Sequence, residues 1–266
     1  MTLPIAIAIV ASTLIVGSAI FILLSRFSPH GGREDKTPTS VYAVTAGAMS
    51  LLIAFTLSLT FTQYLSAQQA ASQEADAIIS MSRAATFMAP EVRDPLRDQL
   101  VCYAQQTIDL EWPALRNHDV TMLPQLRQTL NTMDGILATH VTAAGPGLSL
   151  WEGANEQRLN AHVQILQAAD DNVPPILWLL LVAGSIITIG SLFVYADRGK
   201  PSWGHALVVI GPLFIASAAL VVIAFFDHPF ENTPGAIKPV AMELALDRLT
   251  HDRIADIPLP VCLKKS

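Results

Sequence analysis

The stretch Val41–Phe61, VYAVTAGAMSLLIAFTLSLTF, decides the fold: 21 residues pass without a single charge. At about 1.5 Å of helical rise per residue, that length crosses the roughly 30 Å hydrocarbon core of a bilayer. The chain runs on as TQYLSAQQAASQEADAIISMSRAATFM, with neither Gly nor Pro before Pro90. It reads as one helix that begins in lipid and ends in water. Every fourth position on it is small: Ala46, Ser50, Ala54, Ser58, Thr62, Ser66 and Ala70. Small residues at that spacing let another helix backbone approach closely, which is what joins helices inside lipid. The partner is either a neighbouring helix of the same chain or another subunit, and in the second case the stripe is a seam or a hydroxyl-lined wall. Glu74 continues the row. It is either one of a ring of carboxylates at a pore mouth, as cation channels use, or a member of a salt bridge or a helix-surface charge. Thr45, Thr56, Thr60 and Gln63 form a second, mildly polar face, whose hydroxyls either line a path or bond their own backbone four residues back.

Composition agrees with a membrane setting. Hydrophobic residues make up 52% of the 266-residue chain and charged ones only 14%, where soluble domains carry about 25% charge. Four uncharged runs account for this: Leu3 to Leu24, Val41 to Phe61, Val173 to Tyr195 and Ala206 to Phe226. Each is long enough to span. The first lacks a basic leader and an A-x-A site, so it is expected to be a retained helix and not a cleaved signal. No charged side chain lies within any run, which argues against transport through a buried charge relay.

Lys and Arg in short connections set orientation. Arg26, Arg33 and Lys36 follow the first run, and Arg198 and Lys200 follow the third. Both connections are therefore expected in the cytoplasm of a bacterial inner membrane, with both termini and residues 65–173 outside. Lys264 and Lys265 pull the other way but lie far from the last run. The expected organisation is all-α: spans 1 and 2 over residues 1–64, an extracytoplasmic helical bundle over 65–173, spans 3 and 4 over 174–227, and an outer tail over 228–266.

Residues 66–172 hold 13 Asp or Glu and 6 Arg with no Lys, a net −7. That excludes nucleic acid as an expected partner; the surface either gathers cations or is simply solvated. Within it, Leu96, Leu100, Tyr103, Thr107 and Ile108 share a helical face after Pro95, a helix expected to stop near Glu111-Trp112-Pro113. A third helix is expected from about Met122, with Leu126, Leu130, Met133 and Leu137 inward. A fourth is expected from about Ser149, with Trp151, Leu159, His162 and Leu166 inward. The tail predicts a short amphipathic helix with Met242, Leu246 and Leu249 on one side, docked on the bundle or on the bilayer. Cys102 and Cys262 both fall outside on this topology, where disulfides persist; they either bridge or stay as two buried thiols.

The last run ends in Asp227-His228-Pro229-Phe230. The pair Asp227-His228 is either a proton or metal site, with Glu231 or His251, or the anchor of a helix end. Followed by a turn and a Pro-led helix, the motif resembles the bacterial bestrophin-like family of four-span membrane proteins. Glu74-Ala75 beyond span 2, Glu111-Trp112-Pro113 on the second outer helix, and Pro174-Pro175 with Trp178 entering span 3 are similar to it as well. Glu231-Asn232 stand where the family has Ser-Gly. The family's name implies an ion-channel relationship, and the resemblance carries over no catalytic residue. In an enzyme Glu111-Trp112-Pro113 would set an acid beside a stacking ring; on a helix end it is more simply a structural cap with a buried indole.

No Ser-His-Asp arrangement, Gly-rich phosphate loop, Cys-x-x-Cys or His-x-x-x-His occurs, so no enzyme activity, cofactor or metal is expected. Two functions follow from the residues. The first is a homo-oligomeric channel passing inorganic ions, with a pore built by span 2 and its stalk. The second is a membrane-anchored sensing or interaction protein whose outer helical domain binds a partner.

Overall fold

The computed structural model describes residues 7, 8, 10–13, 15–17, 19, 37–117, 121, 123–170, 173–195, 203–231, 233, 235–251 and 262. The described residues are helical, with turns and no strand. Helix α1 runs Thr37–Ala85, α2 Pro90–Gln106, α3 Trp112–Arg116, α4 Pro124–Thr139, α5 Val141–Ala144, α6 Gly147–Ala169, α7 Pro175–Tyr195, α8 Trp203–Asp227 and α9 Val240–His251. The basic residues on which orientation was read (Arg26, Arg33, Lys36, Arg198, Lys200, Lys264 and Lys265) lie outside the described set, as does most of the run Leu3 to Leu24. Among the described residues two stretches are long and apolar enough to cross a membrane, Ala43–Ala85 and Ile210–Asp227; Pro175–Ser191 is apolar but shorter.

The chain divides into two units, Met1–Gln63 with Asp171–Asp227, and Tyr64–Asp170 with His228–Ser266. In the first, Met49, Val173, Leu181 and Ile223 form a small core, flanked by Leu52, Leu57, Trp178 and Leu220. Its outer faces are greasy: Val44, Leu51, Phe55, Ile176, Leu179, Ile186 and Ile215 are exposed. That much bare apolar surface requires lipid or another protein against it. Thr56 and Thr60 are buried, and their hydroxyls bond the carbonyls of Leu52 (2.9 Å) and Thr56 (3.1 Å). Of the two roles open to that threonine face, these two side chains take the backbone one.

The second unit is a helical bundle. One core gathers Ile78, Met81, Leu96, Leu100, Leu126, Met133 and Trp151, and the tail helix α9 adds Met242, Ala245 and Leu249 to it. The tail therefore docks on the bundle. A second core joins Ala67, Ala70, Trp112, Leu115, Ile165, Phe230 and Ile237. Cys102 and Cys262 are joined by a disulfide, their Cα atoms 5.1 Å apart, which ties the end of the chain to α2.

Three element boundaries differ from expectation for physical reasons. Helix α2 starts at Pro90 and carries Pro95 within it, because a proline opening a helix has its φ already set and no donor to waste. Glu111-Trp112-Pro113 does not stop the helix. A π turn over Thr107–Glu111 precedes it, with the Trp112 N–H reaching back to the Thr107 carbonyl, and α3 continues through Pro113. Helix α6 begins at Gly147 and buries Arg158, while Leu159 is 46% exposed.

Candidate functional site

On α1, Ser50, Ala54, Ser58, Thr62 and Ser66 are exposed and Ala46 is half-buried. The stripe is not used for packing within the chain until Ala70, which is fully buried. Glu74, one turn further, is also buried, 1% exposed. Glu74 turns inward with the bundle face of the helix, so within the chain its carboxylate faces the bundle and not solvent.

There Glu74 anchors a buried polar cluster. Tyr103 on α2 donates its phenolic O–H to Glu74 Oε1 at 2.5 Å. His162 on α6 sets Nδ1 3.0 Å from the same oxygen. Its Nε2 faces Glu111 Oε1 at 3.4 Å, an ion-pair distance without hydrogen-bond geometry. Arg158, one turn before His162, donates from a terminal nitrogen to the Tyr103 oxygen at 3.2 Å and from Nε to Asn155 at 2.9 Å. Its guanidinium also lies 5.3 Å from the centre of the Tyr103 ring, a favourable cation–π placement. The π turn swings Glu111 into the cluster; such turns recur where a side chain must be re-aimed.

The electrostatics follow from this enclosure. Burial pushes the Glu111 carboxyl up to about 7; His162 draws it down and Glu74 pushes it up. Burial lowers His162, but its bond to Glu74 and the charges of Glu111 and Glu74 outweigh that and raise it. Tyr103 is raised well above its usual value, first by burial and then by Glu74. Glu111 and His162, facing each other beside Glu74, therefore titrate together and not independently. The cluster contains no nucleophile placed against a base, and its chemistry is proton holding. Among the described residues no group of three His, Cys, Asp or Glu is placed to hold a metal ion.

The Asp227-His228-Pro229-Phe230 motif divides its work between the units. In the first unit Asp227, 2% exposed, accepts the Val173 backbone N–H at 2.8 Å and the Trp178 indole N–H at 3.1 Å. It caps the start of the segment leading into α7. In the second, Phe230 meets Trp112 edge to face at 5.7 Å, and the Ile237 N–H bonds the Pro229 carbonyl at 2.9 Å. The Trp112 indole donates to the Ile237 carbonyl at 3.1 Å, and Tyr64 donates to the Gly235 carbonyl at 2.7 Å. Trp112 is buried and Pro113 exposed. His251 is exposed and bonds within its own helix.

Sequence reasoning placed Tyr103 and His162 inward and singled out Glu74 and Glu111, without joining them. It missed Arg158. The available signal was its spacing four residues before His162, which puts both on one helical face.

The arrangement is that of a helical membrane protein built on one long helix with a polar-cored bundle. The Bestrophin-like domain family matches residues 11–234, and the chain belongs to that family. Comparison with curated proteins finds no match in sequence. Among solved structures, a variant of a bacterial Bestrophin homolog from Klebsiella pneumoniae superposes with a TM-score of 0.71 at 14% identity, covering 95% of this chain and 97% of that one. A second variant of that homolog gives 0.70 at 13% identity, covering 91% and 98%. The crystal structure of a protein described only as a membrane protein gives 0.71 at 12%, covering 92% and 97%. At such identities the likeness is one of fold.

Proposed function

We propose that the chain assembles as a homo-oligomer in the bacterial inner membrane and passes ions through a pore walled by α1. The observation that carries this is the bare stripe of Ser50, Ala54, Ser58, Thr62 and Ser66 on a helix whose apolar window is only 11% buried within the chain. A small, hydroxyl-bearing face left open on a spanning helix suits close approach of another copy or of water. Membership of the Bestrophin-like family supports the same reading. The wall ends near Ser66, since Glu74 is engaged elsewhere.

In this proposal the chain spans four times, through Leu3 to Leu24, Val41 to Phe61, Val173 to Tyr195 and Ala206 to Phe226. Residues 65–173 and both termini lie outside. The Cys102–Cys262 bridge supports that side, because disulfides persist in oxidising compartments. No catalytic step is assigned to any residue.

The test is the mass of the purified protein in detergent, followed by conductance in planar bilayers. A ring of subunits with conductance that Ser58→Leu changes is the expected result. A monomer or dimer without conductance removes the channel. The second reading, an anchored protein whose outer domain senses or binds, then stands, favoured by the cavity described next.

A further inference from the structure

At the far end of α1 a cavity of about 220 Å³ opens in the second unit. Ser82 and Arg83 reach it from the last turn of α1, and Thr86 from the turn that follows. Arg97 enters from α2 and Arg248 from α9, over apolar walls of Ile79 and Leu249. Three of the chain's few arginines thus converge on one space, in a bundle where carboxylates outnumber arginines two to one. None of the three makes an ion pair among the described residues. The Nε of Arg97 is buried and has no hydrogen-bond partner.

Neighbouring guanidinia repel, and a buried N–H without an acceptor is destabilising. The negative end of the α1 dipole accounts for Arg83 in the last turn. It does not account for Arg97 or Arg248. An anion in the cavity accounts for all three. Guanidinia offer forked donors matched to oxyanions, and Ser82 can add a hydroxyl donor, whereas the Thr86 hydroxyl donates to the Arg83 carbonyl at 2.6 Å. The volume falls below the roughly 300–1,000 Å³ of pockets for drug-sized ligands.

We infer that Arg83, Arg97 and Arg248, with Ser82, form a binding site for a small soluble oxyanion of the phosphate or sulfate class. The site is independent of whether the spans conduct. Calorimetric titration of inorganic phosphate into the full-length protein in detergent, at constant ionic strength against chloride, tests it.

Saturable binding is expected, weakened roughly tenfold by Arg83→Gln and again by Arg248→Gln, the loss typical of one charge-assisted hydrogen bond. Both side chains are exposed, so the substitutions spare the core, and an unchanged melting temperature verifies that. Arg127→Gln, an exposed arginine on α4 outside the cavity, should leave the affinity unchanged. Absence of saturable binding, or equal loss in Arg127→Gln, overturns the inference. So does binding only to phosphatidic acid vesicles and not to free phosphate, which would make the site one for a lipid headgroup.

Discussion

Glu111 has the most to tell about how this protein responds to pH. Its carboxyl titrates near 4.5 when free and about 7 when folded, so between those values the folded protein holds a proton that the unfolded chain has released. The stability this supplies is complete below about 4.5 and is lost as pH rises through about 7. His162 is also raised; its contribution is complete below about 6.5 and fades above. The melting temperature should therefore fall between about pH 5 and pH 8, and Glu111→Gln, neutral throughout, should flatten most of the slope. A melting temperature that climbs over this range, followed by circular dichroism, would contradict the assignment. Trp112 is tested by size. It is 2% exposed, meets Phe230 edge to face and bonds Ile237, so Trp112→Ala should cost about 3–5 kcal/mol in denaturant unfolding. Trp112→Phe, which mainly orphans the Ile237 carbonyl, should cost about 1–3 kcal/mol.

Among the elements, α6 offers a paired test of packing against propensity. A Cβ on Gly147 would lie 2.6 Å from Met88 Cγ and 2.8 Å from the Ala84 carbonyl oxygen, and a backbone atom cannot swing aside. Gly147→Ala should therefore destabilise by about 1–3 kcal/mol. Gly153, inside the same helix, has nothing within 4 Å, so Gly153→Ala should stabilise by about 0.5–1 kcal/mol. Equal effects in thermal melts would refute the packing assigned to Gly147. The helices themselves were legible because uncharged runs and 3.6-residue periodicity report burial directly: Leu126, Met133 and Leu137 fall where the pattern puts them. The π turn was not legible, since an extra residue in one turn leaves no mark in a hydrophobic pattern. It is also what carries Glu111 into the cluster. Arg158 escaped for a related reason. A charged residue is read as solvent-facing by default, and only its partners, Tyr103 far along the chain and Asn155 one turn away, make burial tolerable.

For the whole molecule, the arginine cavity and the disulfide are both assembled from residues far apart in the chain, and neither could be read from one stretch alone. The disulfide is the most useful of these long-range contacts, because it links fold to compartment. Cys102 and Cys262 close a loop of 160 residues, and cross-linking a long loop removes disorder from the unfolded chain, typically about 2–4 kcal/mol. Cys262→Ser should lower stability by that amount, and reductant should do the same to the parent protein but not to the variant. The compartment is tested in cells. With thiols blocked by a permeant reagent before lysis, no maleimide should attach to either cysteine until reductant is added. Absence of labelling even after reductant would mean that both thiols had already been blocked as free thiols and so face a reducing interior. The second unit would then lie in the cytoplasm, and the outward orientation proposed here would have to be reversed while the helices and their packing stood unchanged.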